Sequence, residues 1–140
     1  MNTDLMFSSK TDLWSTPQDF YNRLNEEFNF NLDPCSTNEN TKCEKHFTID
    51  DDGLKQDWQG HTVFVNPPYG RVIKDWVKKC HDESLKPNTT VVMLIPARTD
   101  TIYFHKYIYH IAKEIRLLKG RLKFGECKNS APFPSMVIVF

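Results

Sequence analysis

The chain has 140 residues with 18 basic and 18 acidic side chains, so its formal net charge is zero. This length fits one ordinary domain with a real core, and a neutral chain is not expected to coat nucleic acid by charge alone. The sequence shows no secretion-signal pattern and no apolar run approaching a membrane span, so we expect a cytoplasmic protein without a membrane partner.

The N-terminal region predicts a tail followed by a helix. Residues 1–12 are expected to be a flexible tail, and residues 13–140 a single domain. Thr16 and Pro17 predict a helix start, with Thr16 as N-cap and Pro17 at the first helical position. Apolar residues recur there every fourth position, at Phe20, Leu24 and Phe28.

The region after this helix predicts two short strands around a loop. FNFNLD, residues 28–33, alternates apolar and polar side chains and predicts a strand that ends at Asp33. Residues 34–45 are polar and predict an irregular loop. HFTIDDDGL, residues 46–54, predicts a short strand that runs into an acidic turn over residues 50–53.

The middle of the chain predicts two buried strands and a helix between them. TVFV, residues 62–65, and TVVMLIPA, residues 90–97, are apolar runs typical of strands covered on both faces. Apolar residues follow the first run at helical spacing, at Val72, Ile73, Trp76, Val77 and Cys80.

The C-terminal part predicts one more helix and a closing strand. Thr99 or Asp100 would cap a helix whose apolar positions are Ile102, Tyr103, Tyr107, Ile108 and Ile111. EIRLL and RLKF are predicted to pair around Gly120, and MVIVF to form the last buried strand. This alternation predicts an α/β sheet, in which ligands bind at the carboxyl ends of strands. Asp33 and Asn66 should therefore share one edge.

The motif Asn66-Pro67-Pro68-Tyr69 at the end of TVFV has three interpretations. A double proline can simply end a strand in a rigid turn, because proline cannot continue a ladder. It can also be a polyproline ligand, although these prolines follow a strand expected to be buried. The third interpretation is a site that methylates a planar amino nitrogen.

A physical argument favours the third interpretation. The amine of an aromatic base is a poor nucleophile because its lone pair is delocalised into the ring. The side-chain oxygen of Asn66 and the Pro67 carbonyl would each accept a hydrogen bond from one N–H of the amine. These two hydrogen bonds would favour the pyramidal, reactive form of the nitrogen. Prolines on either side of that carbonyl keep it rigid. Tyr69 would offer a flat face to a base that has left its helix.

Further motifs point to one family. Residues 66–69 resemble the catalytic motif of amino-methyltransferases that use S-adenosylmethionine. WSTP, LDPCS, DDGL and GRLKF also occur, at residues 14–17, 32–36, 51–54 and 120–124. From about Trp14 to Phe140, the chain resembles the phage-type DNA N-6-adenine methyltransferase family.

The resemblance implies roles for individual residues. Asn66, Pro67, Pro68 and Tyr69 would be catalytic. S-adenosylmethionine would contact Trp14, Ser15, Thr16, Pro17, Asp33 and Asp52, with Asp33 near its amino-acid end and Asp52 at its adenine amine. Asp50 or Asp51 could replace Asp52 in that role. Arg71, Arg121 and Lys123 would bind DNA, with Phe124 assisting by stacking. Arg121 could instead hold a carboxylate of the cofactor, and Gly120-Arg121 is equally well a basic surface turn.

Other features limit these expectations. The loop DPCSTNENTK contains no glycine, so the dinucleotide fingerprint is absent. Only about thirty residues separate Asp33 from Val63, which is too few for a full methyltransferase sheet. We therefore expect an abridged Rossmann-like sheet flanked by helices, with an irregular segment over residues 34–47. No metal is expected, because the four cysteines are scattered rather than closely paired.

The sequence thus predicts transfer of a methyl group from S-adenosylmethionine to the amino group of adenine in double-stranded DNA, with base flipping. Sequence preference would come from loops or from the second subunit of a homodimer. A phage-like origin would suit protection of viral DNA from restriction, in the host cytoplasm. Three alternatives remain: a protein glutamine amide or an RNA adenine as substrate, or a nucleic-acid-binding module without catalysis.

Overall fold

A mixed four-stranded sheet forms the centre of the protein. The computed structural model describes residues 14–125 and 129–140, so the predicted tail and Cys127 lie outside it. The strands are β1 (Thr62–Val65), β2 (Thr90–Pro96), β3 (Glu114–Leu117) and β4 (Ser135–Val139). Their spatial order is β1-β2-β4-β3, with β1 parallel to β2, and β4 antiparallel to both of its neighbours.

The two central strands carry the most apolar sequence. All residues of β4, and all of β2 after Thr90, are buried, so both faces of the sheet centre are covered. Helix α1 (Gln18–Phe28) contacts β1, where the ring of Tyr21 meets Phe64 edge to face at 5.1 Å between centroids. Helix α2 (Ile73–Ser84) packs against β2.

Helix α1 confirms the predicted apolar stripe and corrects its start. Phe20, Tyr21 and Leu24 are buried on one face of the helix. The prediction that Thr16 caps this helix is wrong, because the helix begins at Gln18, with Pro17 at the N-cap and no side-chain cap. Thr16 is buried and its hydroxyl is used in a contact described below.

The two strands predicted on either side of the polar loop are reduced to single bridges. Leu32 pairs with Val63 and Asp33 with His46, both in parallel orientation. FNFNLD is not a regular strand, because Phe28 still belongs to α1 and Pro34 has no N–H to continue a ladder. The strand predicted from His46 is likewise wrong. The acidic turn after it is confirmed and leads into a 3-10 helix, Gly53–Lys55.

The second half of the chain follows the predictions with two corrections. The helix predicted over residues 102–111 is a shorter segment with a π-helical turn, Phe104–Ile108. Its cap is the hydroxyl of Thr101, which accepts the N–H of Phe104 at 3.3 Å, and not Thr99 or Asp100. EIRLL does not pair with RLKF: β3 pairs with β4, whose outer edge would otherwise be unpaired.

The predicted α/β class and the abridged sheet are confirmed. Between Asp33 and β1 the chain forms no regular element other than the 3-10 helix, as expected for the irregular segment. Leu32, through its bridge to Val63, extends the sheet beyond β1. Among the described residues, no helix is both long and apolar enough to span a membrane.

Candidate active site at the carboxyl end of strand β1

A cavity of about 730 Å³ lies where β1 ends, beside the segment that follows Leu32. Its walls come mainly from five parts of the chain that are distant in sequence: residues 14–16, 33–40, 48–50 with 52–54, 66–68, and Val72 with Trp76. Lys42 and Phe64 also line it. Asp33 and Asn66 both line it, which confirms that they share one edge of the sheet.

The side chain of Asn66 is held by the segment before α1. Its Nδ2 donates to the backbone carbonyl of Trp14 and to the hydroxyl of Thr16, the latter at 2.8 Å. A backbone carbonyl can only accept, so the nitrogen must face Trp14 and the oxygen must point away from it. The orientation of the amide is therefore fixed by its partners.

The oxygen of the same amide has no hydrogen-bond partner among the described residues. Asn66 Oδ1 is shielded from solvent, and no group in the described part of the chain donates to it. An acceptor that is buried without a partner costs about 1–3 kcal/mol, so native proteins seldom leave one. Asn66 thus lines the cavity and carries a buried acceptor that has no partner among the described residues.

Tyr69 belongs to an aromatic cluster that we define as Trp14, Tyr69, Phe124 and Phe133. The ring of Trp14 lies nearly parallel to that of Tyr69, with centroids 6.3 Å apart, and the two phenylalanine rings meet Tyr69 edge to face at 6.1 and 5.6 Å. The Tyr69 hydroxyl donates to the carbonyl of Leu94. Burial raises its pKa well above the usual value. Tyr69 therefore lies behind the cavity rather than in its wall.

Asp33 organises the loop that follows it. One carboxylate oxygen accepts the N–H of Cys35 at 3.3 Å, and the other accepts the N–H of Lys42 at 2.9 Å. Burial raises the pKa of Asp33 to about 6, although these two hydrogen bonds and the charges of His46 and Lys42 oppose the shift. The side chain is buried at the cavity wall, so a cationic group bound there would favour its ionised form.

The acidic turn offers two carboxylates to the cavity. Asp50 and Asp52 line it, and Asp52 has a left-handed backbone with φ of 56°. Asp51 instead caps its own turn, because its carboxylate accepts the N–H of Thr48 at 2.8 Å. Of the three candidates for the adenine end of the donor, Asp51 is therefore the least available.

Comparison with known proteins identifies the family of the chain. The sequence model of the family described as DNA N-6-adenine-methyltransferase (Dam) matches residues 4–138. The chain belongs to this family. A DNA N-6-adenine-methyltransferase of Haemophilus phage HP1 is 30% identical over 139 residues, covering 94% of this chain and 80% of that protein. One of Escherichia phage T1 is 35% identical over 95 residues, covering 66% of this chain and 39% of that protein.

The chain is thus a DNA adenine methyltransferase, a class that needs a methyl donor and a DNA substrate. Most residues predicted for its site lie together at the cavity: Trp14, Ser15, Thr16, Asp33, Asp52, Asn66, Pro67 and Pro68. Pro17 and Tyr69 are not part of the cavity wall. Arg71, Arg121 and Lys123 are exposed and lie outside the cavity, without an ion pair to any described residue.

The sequence did not identify several of the residues that line this cavity. Residues 34–40, the loop without glycine, line it, because side chains rather than glycines shape the turn. Thr37 Oγ1, for example, accepts the N–H of Asn40 at 3.1 Å. Ile49 and Val72 are exposed apolar residues at the cavity, and Trp76 adds an aromatic wall. The one sequence signal for an apolar cavity wall was Ile49, an isoleucine placed next to the acidic residues 50–52.

Proposed function

We propose that this methyltransferase transfers the methyl group of S-adenosylmethionine to N6 of an adenine that has left the DNA duplex. The unused acceptor of Asn66 is the observation that supports this most strongly. An adenine amine has two N–H bonds and no positive charge, so it matches a neutral carboxamide oxygen. A bound amine would supply the hydrogen bond that Asn66 Oδ1 lacks among the described residues.

The second acceptor is the backbone carbonyl of Pro67. No backbone N–H in the described part of the chain donates to it, so its lone pairs are available for a substrate. Pro67 is buried, and the proline after it restricts the local backbone, which keeps this carbonyl in place. Two fixed acceptors on one amine favour the pyramidal nitrogen, whose lone pair can attack carbon.

The cavity fits the proposed donor in size and in chemistry. When bound, S-adenosylmethionine supplies an electrophilic methyl carbon on a sulfonium sulfur. Asp33 would hold its ammonium group, Asp50 or Asp52 would accept from its adenine amine, and Ile49, Val72 and Trp76 would contact the adenine ring. The amine held by Asn66 and Pro67 would take the methyl group from this sulfonium, leaving the electron pair of the broken bond on sulfur, and water would take the proton that the nitrogen loses.

Access for the base requires movement of the aromatic cluster. Trp14 and the two phenylalanines cover Tyr69, and Asn66 Oδ1 is out of reach of solvent, so the described conformation is closed. The N–H of Gly125 donates to the Ser15 carbonyl at 2.8 Å, which joins the segment of Phe124 to residues 14–16. Arg121 and Lys123 lie close to this junction in sequence, where they could bind phosphates as the site opens.

Mass spectrometry of nucleosides tests the proposal directly. The protein is incubated with S-adenosylmethionine and an adenine-containing duplex, and the DNA is digested and analysed. We expect N6-methyladenine and no other methylated nucleoside. A duplex whose adenines already carry the methyl group is the control. Methylated glutamine in protein, with unmodified DNA, would support the rival substrate and contradict this one.

The raised pKa of Asp33 predicts a pH-dependent affinity for the donor. An ionised carboxylate attracts the ammonium group and a protonated one does not, so affinity should be full above pH 7 and fall as pH drops below about 6. We expect Kd to weaken about tenfold between pH 7 and pH 5. The stability of the free protein depends on pH in the opposite direction to the affinity for the donor. Because burial raises the pKa of Asp33, its stabilising contribution is present below its usual pKa and is lost as pH rises through about 6.

Titration calorimetry at several pH values measures this effect. The Asp33→Asn variant should bind more weakly at pH 7, approach the affinity of the unmodified protein as pH falls well below 6, and lose most of the dependence, while its melting temperature reports any damage to the loop. His46 and Lys42 are the charged neighbours of Asp33. His46→Gln tests whether the imidazole is responsible instead. An unchanged pH profile in Asp33→Asn would contradict the assignment.

A further inference from the structure

Thr16 lines the cavity, but its hydroxyl is already engaged. The residue is 5% exposed, and Oγ1 accepts a hydrogen bond from Asn66 Nδ2 at 2.8 Å. It does not cap α1, which is the role that its sequence position predicts. Thr16 is therefore buried without capping the helix, and it contacts a residue fifty positions away. Its position suggests a role other than helix capping.

We infer that Thr16 is a positioning residue for Asn66, fixing the carboxamide so that Oδ1 faces the amine of the substrate. The inference rests on the proposed function, because it assigns Thr16 to the same methyl transfer. It differs from the role expected by family resemblance, in which Thr16 contacts the donor. Thr16 would act through Asn66 and need not touch either substrate.

The geometry of an amide explains why two contacts are needed. The terminal torsion of asparagine is broad, with two nearly equivalent orientations that exchange oxygen and nitrogen. The Trp14 carbonyl selects one of these orientations, since it can accept only from nitrogen. A single contact still lets the side chain turn about that bond. The Thr16 hydroxyl takes the second hydrogen of Nδ2 and removes this remaining freedom.

Thr16 can serve as a fixed partner because its own segment is anchored on both sides. The Ser15 carbonyl accepts the N–H of Gly125, and the Ser15 hydroxyl accepts from Asn40 Nδ2. After Thr16 the chain enters α1, and the carbonyl of Pro17 accepts the N–H of Tyr21 at 3.0 Å. The segment that carries the Thr16 hydroxyl is therefore held by contacts that do not depend on Asn66.

The experiment compares two substitutions of Thr16 with a matched control. Thr16→Val keeps the shape and removes the hydroxyl, whereas Thr16→Ser keeps the hydroxyl. Thr89 is also 5% exposed, and its hydroxyl also accepts an N–H, that of Gly60, but it precedes β2 at the opposite end of the sheet. Thr89→Val therefore controls for the loss of a buried hydroxyl away from the cavity.

We expect Thr16→Val to lower kcat by about 5- to 100-fold, the usual range for leaving one buried donor without a partner. The Kd for S-adenosylmethionine, measured by calorimetry, should change by less than about threefold. Thr16→Ser should recover most of the lost kcat. Thr89→Val should lower the melting temperature without lowering the kcat of the folded protein.

Each of the other outcomes would contradict a specific part of the inference. A weaker Kd for the donor with an unchanged kcat would assign Thr16 to donor binding. Equal losses in the valine and serine variants would show that the hydroxyl is not the active group. Should the unmodified protein itself fail to methylate adenine, the proposed function fails first, and the Thr16 variants are then uninformative about transfer.

Discussion

Asn66→Ala is expected to lower the rate of methyl transfer by about 100- to 1000-fold, the range found when one preorganised hydrogen-bonding group is removed from an active site. The substitution removes the oxygen that has no described partner in the free protein, and so removes a contact made only with the substrate. The donor should still bind, because the acidic residues proposed to hold it lie on other segments. The measurement is single-turnover transfer together with the Kd for S-adenosylmethionine.

Asn31 provides the matched control for this substitution. Its Oδ1 accepts the N–H of Thr62 at 2.9 Å, so it also supports β1, but at the opposite end of the strand. Asn31→Ala should cost about 1 kcal/mol of stability, as for one hydrogen bond, and leave transfer within about twofold. Activity of Asn66→Ala within tenfold of the unmodified protein would contradict the catalytic role.

Gly53→Ala is expected to be the most destabilising of the substitutions considered, at about 2–4 kcal/mol. A Cβ at this position would lie 2.0 Å from the carbonyl oxygen of Pro34 and 3.1 Å from the ring of Trp76. The Gly53 backbone is not left-handed, so the effect is steric. Pro34 and Gly53 are both cavity walls, and forcing them apart should also weaken donor binding.

Thermal unfolding with and without the donor measures both parts of this prediction. We expect the melting temperature of Gly53→Ala to fall by on the order of 10 °C. Gly60→Ala is the control, because a Cβ there meets nothing within 4 Å, although its φ of +82° carries a conformational cost of about 1 kcal/mol. Equal losses in the two variants would contradict the prediction that the contact with Pro34 makes Gly53→Ala the more destabilising substitution.

The elements that the sequence predicts well are those with long or periodic apolar patterns. The strands β1, β2 and β4 and the helices α1 and α2 all have such patterns, and each lies where expected apart from its ends. The prediction failed for FNFNLD and for EIRLL. Alternation of apolar residues shows that a segment is half-buried, but not which strand lies beside it or how far the pairing extends.

The sequence predicted the candidate site about as completely as it predicted the fold. Strand ends placed Asp33 and Asn66 together, because parallel strands bring their carboxyl ends to one edge. The contact between Thr16 and Asn66 joins residues fifty positions apart, and no local pattern in either segment reports it. Tyr69 shows the same limit. The motif predicted an aromatic ring at this position. It did not predict that Phe124 and Phe133 cover the ring, because that contact depends on tertiary packing.

The position of Trp14 has a practical consequence for optical spectroscopy. Indole emission depends on the surroundings of the ring, and the protein contains three tryptophans. Trp58 and Trp76 form a separate pair, 6.4 Å between ring centroids, while Trp14 stacks on Tyr69. A fluorophore therefore lies at the part of the cavity where the base is proposed to enter, and Trp76 supplies another in the cavity wall. Stopped-flow measurements could time the arrival of each substrate without an added label.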